Sequence, residues 1–184
     1  MSIVIPCFLL VFLSEMGDKT QFLALLLSAR TRRPSAVLAG VWVGAVLSLG
    51  LAAFLGGLLA TCLKASVLKW MIGIGFLVFA VWTLIPERSE EIEPKGFGGT
   101  FTTTVVMIFL AEIGDKAQAA VMVLGAHYHK LALVTLGSSL GMLAADALAV
   151  ALGERITGWL PLRWIRRGAC LLFLGLGIAV LLKR

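Results

Sequence analysis

The stretch Glu15-Met16-Gly17-Asp18-Lys19-Thr20 lies inside an apolar run from Val4 to Ala29. It returns as Glu112-Ile113-Gly114-Asp115-Lys116-Ala117, inside a second run from Phe101 to Gly125. Each run is long enough to cross a bilayer, which takes roughly 20 apolar residues of helix. A charged side chain near the centre of such a helix costs about 2.5–3.5 kcal/mol on insertion scales. Three charges placed twice, in one pattern, are most simply explained by a site that uses them.

The rest of the composition agrees with a membrane setting. Apolar residues make up 60% of the 184-residue chain and charged residues 14%, against about 25% charged in soluble domains. Mean hydropathy is +1.01. The sequence pI of 9.7 would point to nucleic acid in a soluble protein. Here the basic residues cluster at the ends of apolar runs, where they set orientation, and no nucleic-acid partner is expected. Cys7, Cys62 and Cys170 are scattered, without the spacing of a zinc site or a disulfide framework. The first apolar run has no basic leader before it and contains Glu15, so it reads as a span and not as a cleaved signal.

Apolar runs and their punctuation predict an all-α membrane protein of six transmembrane helices, near residues 4–29, 36–59, 68–85, 101–125, 131–152 and 165–182. Gly40, Gly44 and Gly56 in the second span predict close helix packing. Trp70, Trp82, Trp159, Trp164 and Tyr128 fall near span ends, where interfacial aromatic residues belong.

The chain repeats internally. A shift of 97 residues overlays Glu15 on Glu112, Gly17 on Gly114, Asp18 on Asp115, Lys19 on Lys116 and Gln21 on Gln118. It also overlays Gly40 on Gly137, Gly44 on Gly141 and Gly56 on Gly153. Residues 1–86 and 100–184 are therefore read as two three-helix repeats joined by a polar linker at 87–99. Three spans is an odd number, so the second repeat must enter the membrane from the opposite side. That is the inverted-topology arrangement of secondary transporters, whose sites lie near the midplane.

Lysine and arginine bias predicts the orientation. The loops after spans 1, 3 and 5 hold Arg30, Arg32, Arg33, Arg88, Lys95, Arg155, Arg163, Arg166 and Arg167. The opposite side holds Lys64, Lys69, Lys130, Lys183 and Arg184. The richer side is expected in the cytoplasm, with both termini outside. The acidic cluster Glu87, Glu90, Glu91 and Glu93 then reads as a solvated cytoplasmic loop.

On a continuous helix, Glu15, Asp18 and Gln21 would share one face, as would Glu112, Asp115 and Gln118. If the two spans meet, four carboxylates converge. Hard divalent cations favour such oxygen-rich sites, and neither motif holds the Cys or His that softer metals prefer. Four carboxylates and two lysines leave a net charge of −2, which one divalent ion would cancel. Without the ion, crowded acids should hold protons, and binding the ion should expel them. This is a physical route to cation/proton exchange.

Several roles stay open at this level. Gly17 and Gly114 either let helices approach or let the backbone open so that carbonyls can bind. Lys19 and Lys116 are counter-charges, gate residues or snorkelling groups, and Thr20 could offer a hydroxyl ligand. Asp146, in span 5, has Leu49 as its counterpart. It could relay protons, pair with Lys19 or Lys116, or hydrogen-bond Ser48 or Ser138.

The repeated Glu-x-Gly-Asp-Lys motif in two inverted three-helix halves resembles the Gdt1-type cation transporters, over essentially the whole chain. Their eukaryotic members are Golgi manganese/calcium transporters and their bacterial members manganese exporters. The first motif fits the family pattern throughout. The second has Ala117 where the family has Ser or Thr. The resemblance implies export of Mn²⁺, or Ca²⁺ in some members, in exchange for protons, with no further cofactor. It implies Glu15, Asp18, Glu112 and Asp115 as ligands, with Lys19, Thr20, Gln21, Lys116, Gln118 and Asp146 supporting or gating. The short leader and short central loop point to a bacterial plasma membrane.

Three other readings compete. An exporter of a cationic organic solute, such as a basic amino acid, could use the same acids, but no arginine within the spans is placed to take a carboxylate. An intramembrane aspartyl protease needs Gly-x-Gly-Asp, and here the residues two before Gly17 and Gly114 are Glu15 and Glu112. A scaffolding role leaves the cost of the buried charges unexplained.

Overall fold

A computed structural model describes residues 3–85, 98–152 and 162–182. The described residues form eight α-helices and no strand. These are α1 (Val4–Glu15), α2 (Lys19–Thr31), α3 (Pro34–Cys62), α4 (Ala65–Trp82), α5 (Thr100–Glu112), α6 (Lys116–Tyr128), α7 (Leu131–Leu152) and α8 (Leu162–Leu182). Most of the polar linker, with Glu87, Arg88, Glu90, Glu91, Glu93 and Lys95, lies outside the described residues. So do Arg155, Trp159, Lys183 and Arg184.

Two expected spans are corrected. The runs at 4–29 and 101–125 are not continuous helices: each divides at its acidic motif. The helices α1 and α2 have 12 and 13 residues. At 1.5 Å per residue, neither reaches the roughly 30 Å of a bilayer core alone. By contrast α3, α4 and α7 are each long and apolar enough to cross a membrane. The helix expected at 131–152 has those bounds.

Long helices α3 and α7 are central. Helix α7 packs on α1 and α2, while α3 packs on α5 and α6, and α3 and α7 pack on each other. Helices α4 and α8 form an outer pair. Small residues make this possible. A methyl added at Gly40 would sit 2.6 Å from Thr104 Cβ, and one at Gly137 would sit 2.6 Å from the Val4 carbonyl oxygen. Gly44 lies against Val105 and Ile108 of α5, and Gly141 against Phe8 and Phe12 of α1. Such glycines let backbones meet at distances no side chain allows. Gly56 packs on the backbone of Met122 in α6, as close packing there required.

The exterior is apolar. Leu47, Phe54, Val78, Val81, Leu110 and Leu171 are among many large hydrophobic residues left exposed. Water would penalise so much exposed apolar surface, whereas lipid solvates it. Trp70 and Trp164 are also exposed.

Candidate cation site

Each acidic motif is a tight turn between two helices. Met16 has φ −63° and ψ 113°, Gly17 has φ 80°, and the Asp18 N–H donates to the Glu15 carbonyl at 3.1 Å. In the second copy Ile113 has φ −63° and ψ 117°, Gly114 has φ 77°, and the Asp115 N–H donates to the Glu112 carbonyl at 3.0 Å. This is a type II turn, whose third residue needs positive φ and hence glycine. A Cβ at Gly114 would meet nothing within 4 Å. The glycine is there for its backbone conformation, not for room.

The turn changes the expected geometry. Glu15 ends α1 and Asp18 stands at the N-cap position of α2, so the two acids do not share a helical face. Glu112 and Asp115 stand in the same relation to α5 and α6. The break joins the carbonyl end of one half-helix to the amide end of the next. Unwound carbonyls at such points are suited to coordinating cations.

The acids meet across the halves. One carboxylate oxygen each from Glu15, Glu112 and Asp115 lies within 4.8 Å of the others. Glu15 and Glu112 are wholly buried. Asp18, also buried, stands outside that trio and pairs with Lys116, Nζ to Oδ1, at 3.4 Å. Lys19 Nζ pairs with Asp115 Oδ1 at 2.8 Å. Each lysine thus pairs with the aspartate of the other motif. The two pairs offset both aspartates and leave three further buried carboxylates, Glu15, Glu112 and Asp146. Leaving such carboxylates buried and uncompensated is costly.

The two copies differ at one hydroxyl. Thr20 Oγ1 donates to Glu15 Oε2 at 2.7 Å. Ala117 has no hydroxyl to offer, and both Glu112 oxygens lack hydrogen-bond partners. Thr20 therefore orients a candidate ligand. Asp115 Oδ2 accepts the Ala117 backbone N–H at 3.1 Å, an N-cap bond.

Asp146 is wholly buried in α7, and neither of its oxygens has a hydrogen-bond partner. Of the roles left open for Asp146, a hydrogen bond to Ser48 or Ser138 is not formed, while Lys19 pairs with Asp115 and Lys116 with Asp18. It lies within electrostatic range of both Glu15 and Glu112.

The glutamines hold the turns. Gln21 Oε1 accepts the Gly17 N–H and Gln118 Oε1 accepts the Gly114 N–H, both at 2.9 Å. Gln21 Nε2 donates to the Ala145 carbonyl at 2.7 Å, and Gln118 Nε2 donates to Ser48 Oγ at 3.1 Å. Sequence reasoning placed these glutamines on the acidic face but not on the turn amides. Their match under the 97-residue shift was the available signal.

Comparison with known proteins agrees with this chemistry. A family model described as "Divalent cation/proton antiporter GDT1" matches residues 3–91 and 100–184. A protein of Vibrio cholerae named "Putative manganese exporter" is 38% identical over 180 residues, covering 97% of this chain and 90% of its own. A GDT1-like protein of Synechocystis is 30% identical, covering 82% of each chain. GDT1-like protein 3 of Oryza sativa is 30% identical, covering 92% of this chain and 70% of its own. No solved structure matches. The chain is a member of the GDT1 family of divalent cation/proton antiporters, a membrane transporter and not an enzyme.

Proposed function

We propose that this protein exports Mn²⁺ from a bacterial cytoplasm in exchange for protons, through a midplane site built from Glu15, Glu112 and Asp115, with Asp18 completing the charge pattern. One observation carries the reading: buried carboxylate oxygens from both halves gather within 4.8 Å. That spacing suits a bare ion bridged by oxygens better than the larger ammonium group of an organic solute. Preference for Mn²⁺ over Ca²⁺ rests on the Vibrio relative's printed name.

In this reading α1 with α2, and α5 with α6, each make one broken span. With α3, α4, α7 and α8 they total six spans in two inverted repeats, residues 1–86 and 100–184, joined by the linker at 87–99. The reciprocal packing supports it: α1 lies on α7 as α5 lies on α3. Exchange of this kind needs the site to face each side in turn, and broken helices at a repeat interface supply such a site.

Cells lacking the gene, challenged with excess Mn²⁺ or Ca²⁺, provide the test. Wild type should lower intracellular manganese and restore growth, while Glu15→Gln and Asp115→Asn should fail. In inside-out vesicles an acid lumen should drive Mn²⁺ inward, because protons leave as the ion enters. Full rescue by either variant removes that residue from the site, and flux indifferent to the gradient removes the proton.

A further inference from the structure

The two glutamines do more than fill the acidic face. Each bonds a turn amide and a long helix at once, and this pair of bonds is repeated. The carbonyl end takes the amide of the turn glycine, at 2.9 Å in both halves. The amide end reaches a long helix of the opposite half, Gln21 to Ala145 in α7 and Gln118 to Ser48 in α3. Ala145 and Ser48 are themselves counterparts under the 97-residue shift. These four bonds fall in matching places in the two halves, and Gln21 Nε2 also reaches Met16 Sδ at 3.7 Å.

We propose that Gln21 and Gln118 are positioning residues that hold each acidic turn in its binding geometry and tie it to the long helix of the other half. The reasoning starts at the glycine. A type II turn leaves the N–H of its positive-φ residue outside the turn's own hydrogen bond. That amide needs a partner in an apolar setting, and the glutamine carbonyl supplies one. Glu15 lies two residues before Gly17 and Asp18 one after it, so fixing this amide fixes the directions of both acids. The far bond then makes the turn's position depend on α7 or α3. A shift of either long helix relative to the opposite half would be felt at the acids through one side chain.

The two struts are chemically unequal. Gln21 ends on a backbone carbonyl at 2.7 Å, whereas Gln118 ends on a serine hydroxyl at 3.1 Å. Only the second can be cut from its far end by mutation, since Ser48→Ala removes the hydroxyl and leaves the turn bond intact.

This inference rests on the cation-site reading, and the experiment separates the two. Mn²⁺ transport is measured in vesicles as KM and maximal rate, with thermal melting of each purified variant alongside. Gln118→Met removes both bonds and should raise KM about tenfold, as loss of a hydrogen bond beside a buried group would. Gln21→Met should act in the same direction. Ser48→Ala should raise KM about threefold, and should add nothing in the Gln118→Met background, because the bond it removes is already gone. Glu112→Gln serves as the control on the site itself. A lower melting temperature with KM unchanged, or effects of Ser48→Ala and Gln118→Met that simply multiply, overturns the proposal. If Glu112→Gln transports like wild type, the site reading fails instead.

Discussion

At the scale of single residues, the two motifs show how one position alters a shared design. Thr20 and Ala117 occupy equivalent places, yet only Thr20 can bond its glutamate. The second half manages without that bond, so Thr20→Ala should keep transport and raise the KM for Mn²⁺ about threefold or less, measured in vesicles. Loss of transport would make the hydroxyl a ligand. Asp146 argues the opposite way. A buried carboxylate without a hydrogen-bond partner destabilises the fold, and an ionisable residue inside a span is a functional candidate. Asp146→Asn should raise thermal stability by about 1 kcal/mol and lower the transport rate at least tenfold. A variant that melts earlier would show Asp146 to be part of the structural framework.

At the scale of elements, the breaks matter most. Composition marked 4–29 and 101–125 as spans, and hydropathy does not register a turn of four residues inside 25. The glycine was visible, but glycine in an apolar helix serves close packing as readily as positive φ. Backbone geometry decided for φ in Gly17 and Gly114, and neighbours decided for packing in Gly40 and Gly137. The difference can be measured. Gly137→Ala should cost about 1–3 kcal/mol, because a methyl would press on the Val4 backbone. Gly57→Ala, in the same kind of helix but with open space around it, should be neutral or stabilise by up to about 1 kcal/mol. Melting of the two purified variants checks the order, and equal effects would contradict the packing described.

At the scale of the whole molecule, the two halves are held by reciprocal links: Lys19 to Asp115, Lys116 to Asp18, Gln21 to Ala145 and Gln118 to Ser48. We propose the membrane orientation from the charge bias of the loops. If the basic loops lie on the cytoplasmic side, the end of α3 faces outward. Cys62, exposed there while Cys7 is buried, should react with an impermeant maleimide added to intact spheroplasts. Reaction only after permeabilisation would reverse the assigned topology.

The membrane class and the doubled motif were legible in the chain alone. Those properties depend on local composition and on identity at fixed spacing. Even the partners of the glutamines fall in register under the 97-residue shift. Which oxygens meet, and which lysine serves which aspartate, was decided only in three dimensions. Both depend on how closely α3 and α7 let other helices approach, a property of small residues far from the motifs in sequence. The helix break likewise needed the fold, because a glycine's φ is set by its surroundings and not by its identity.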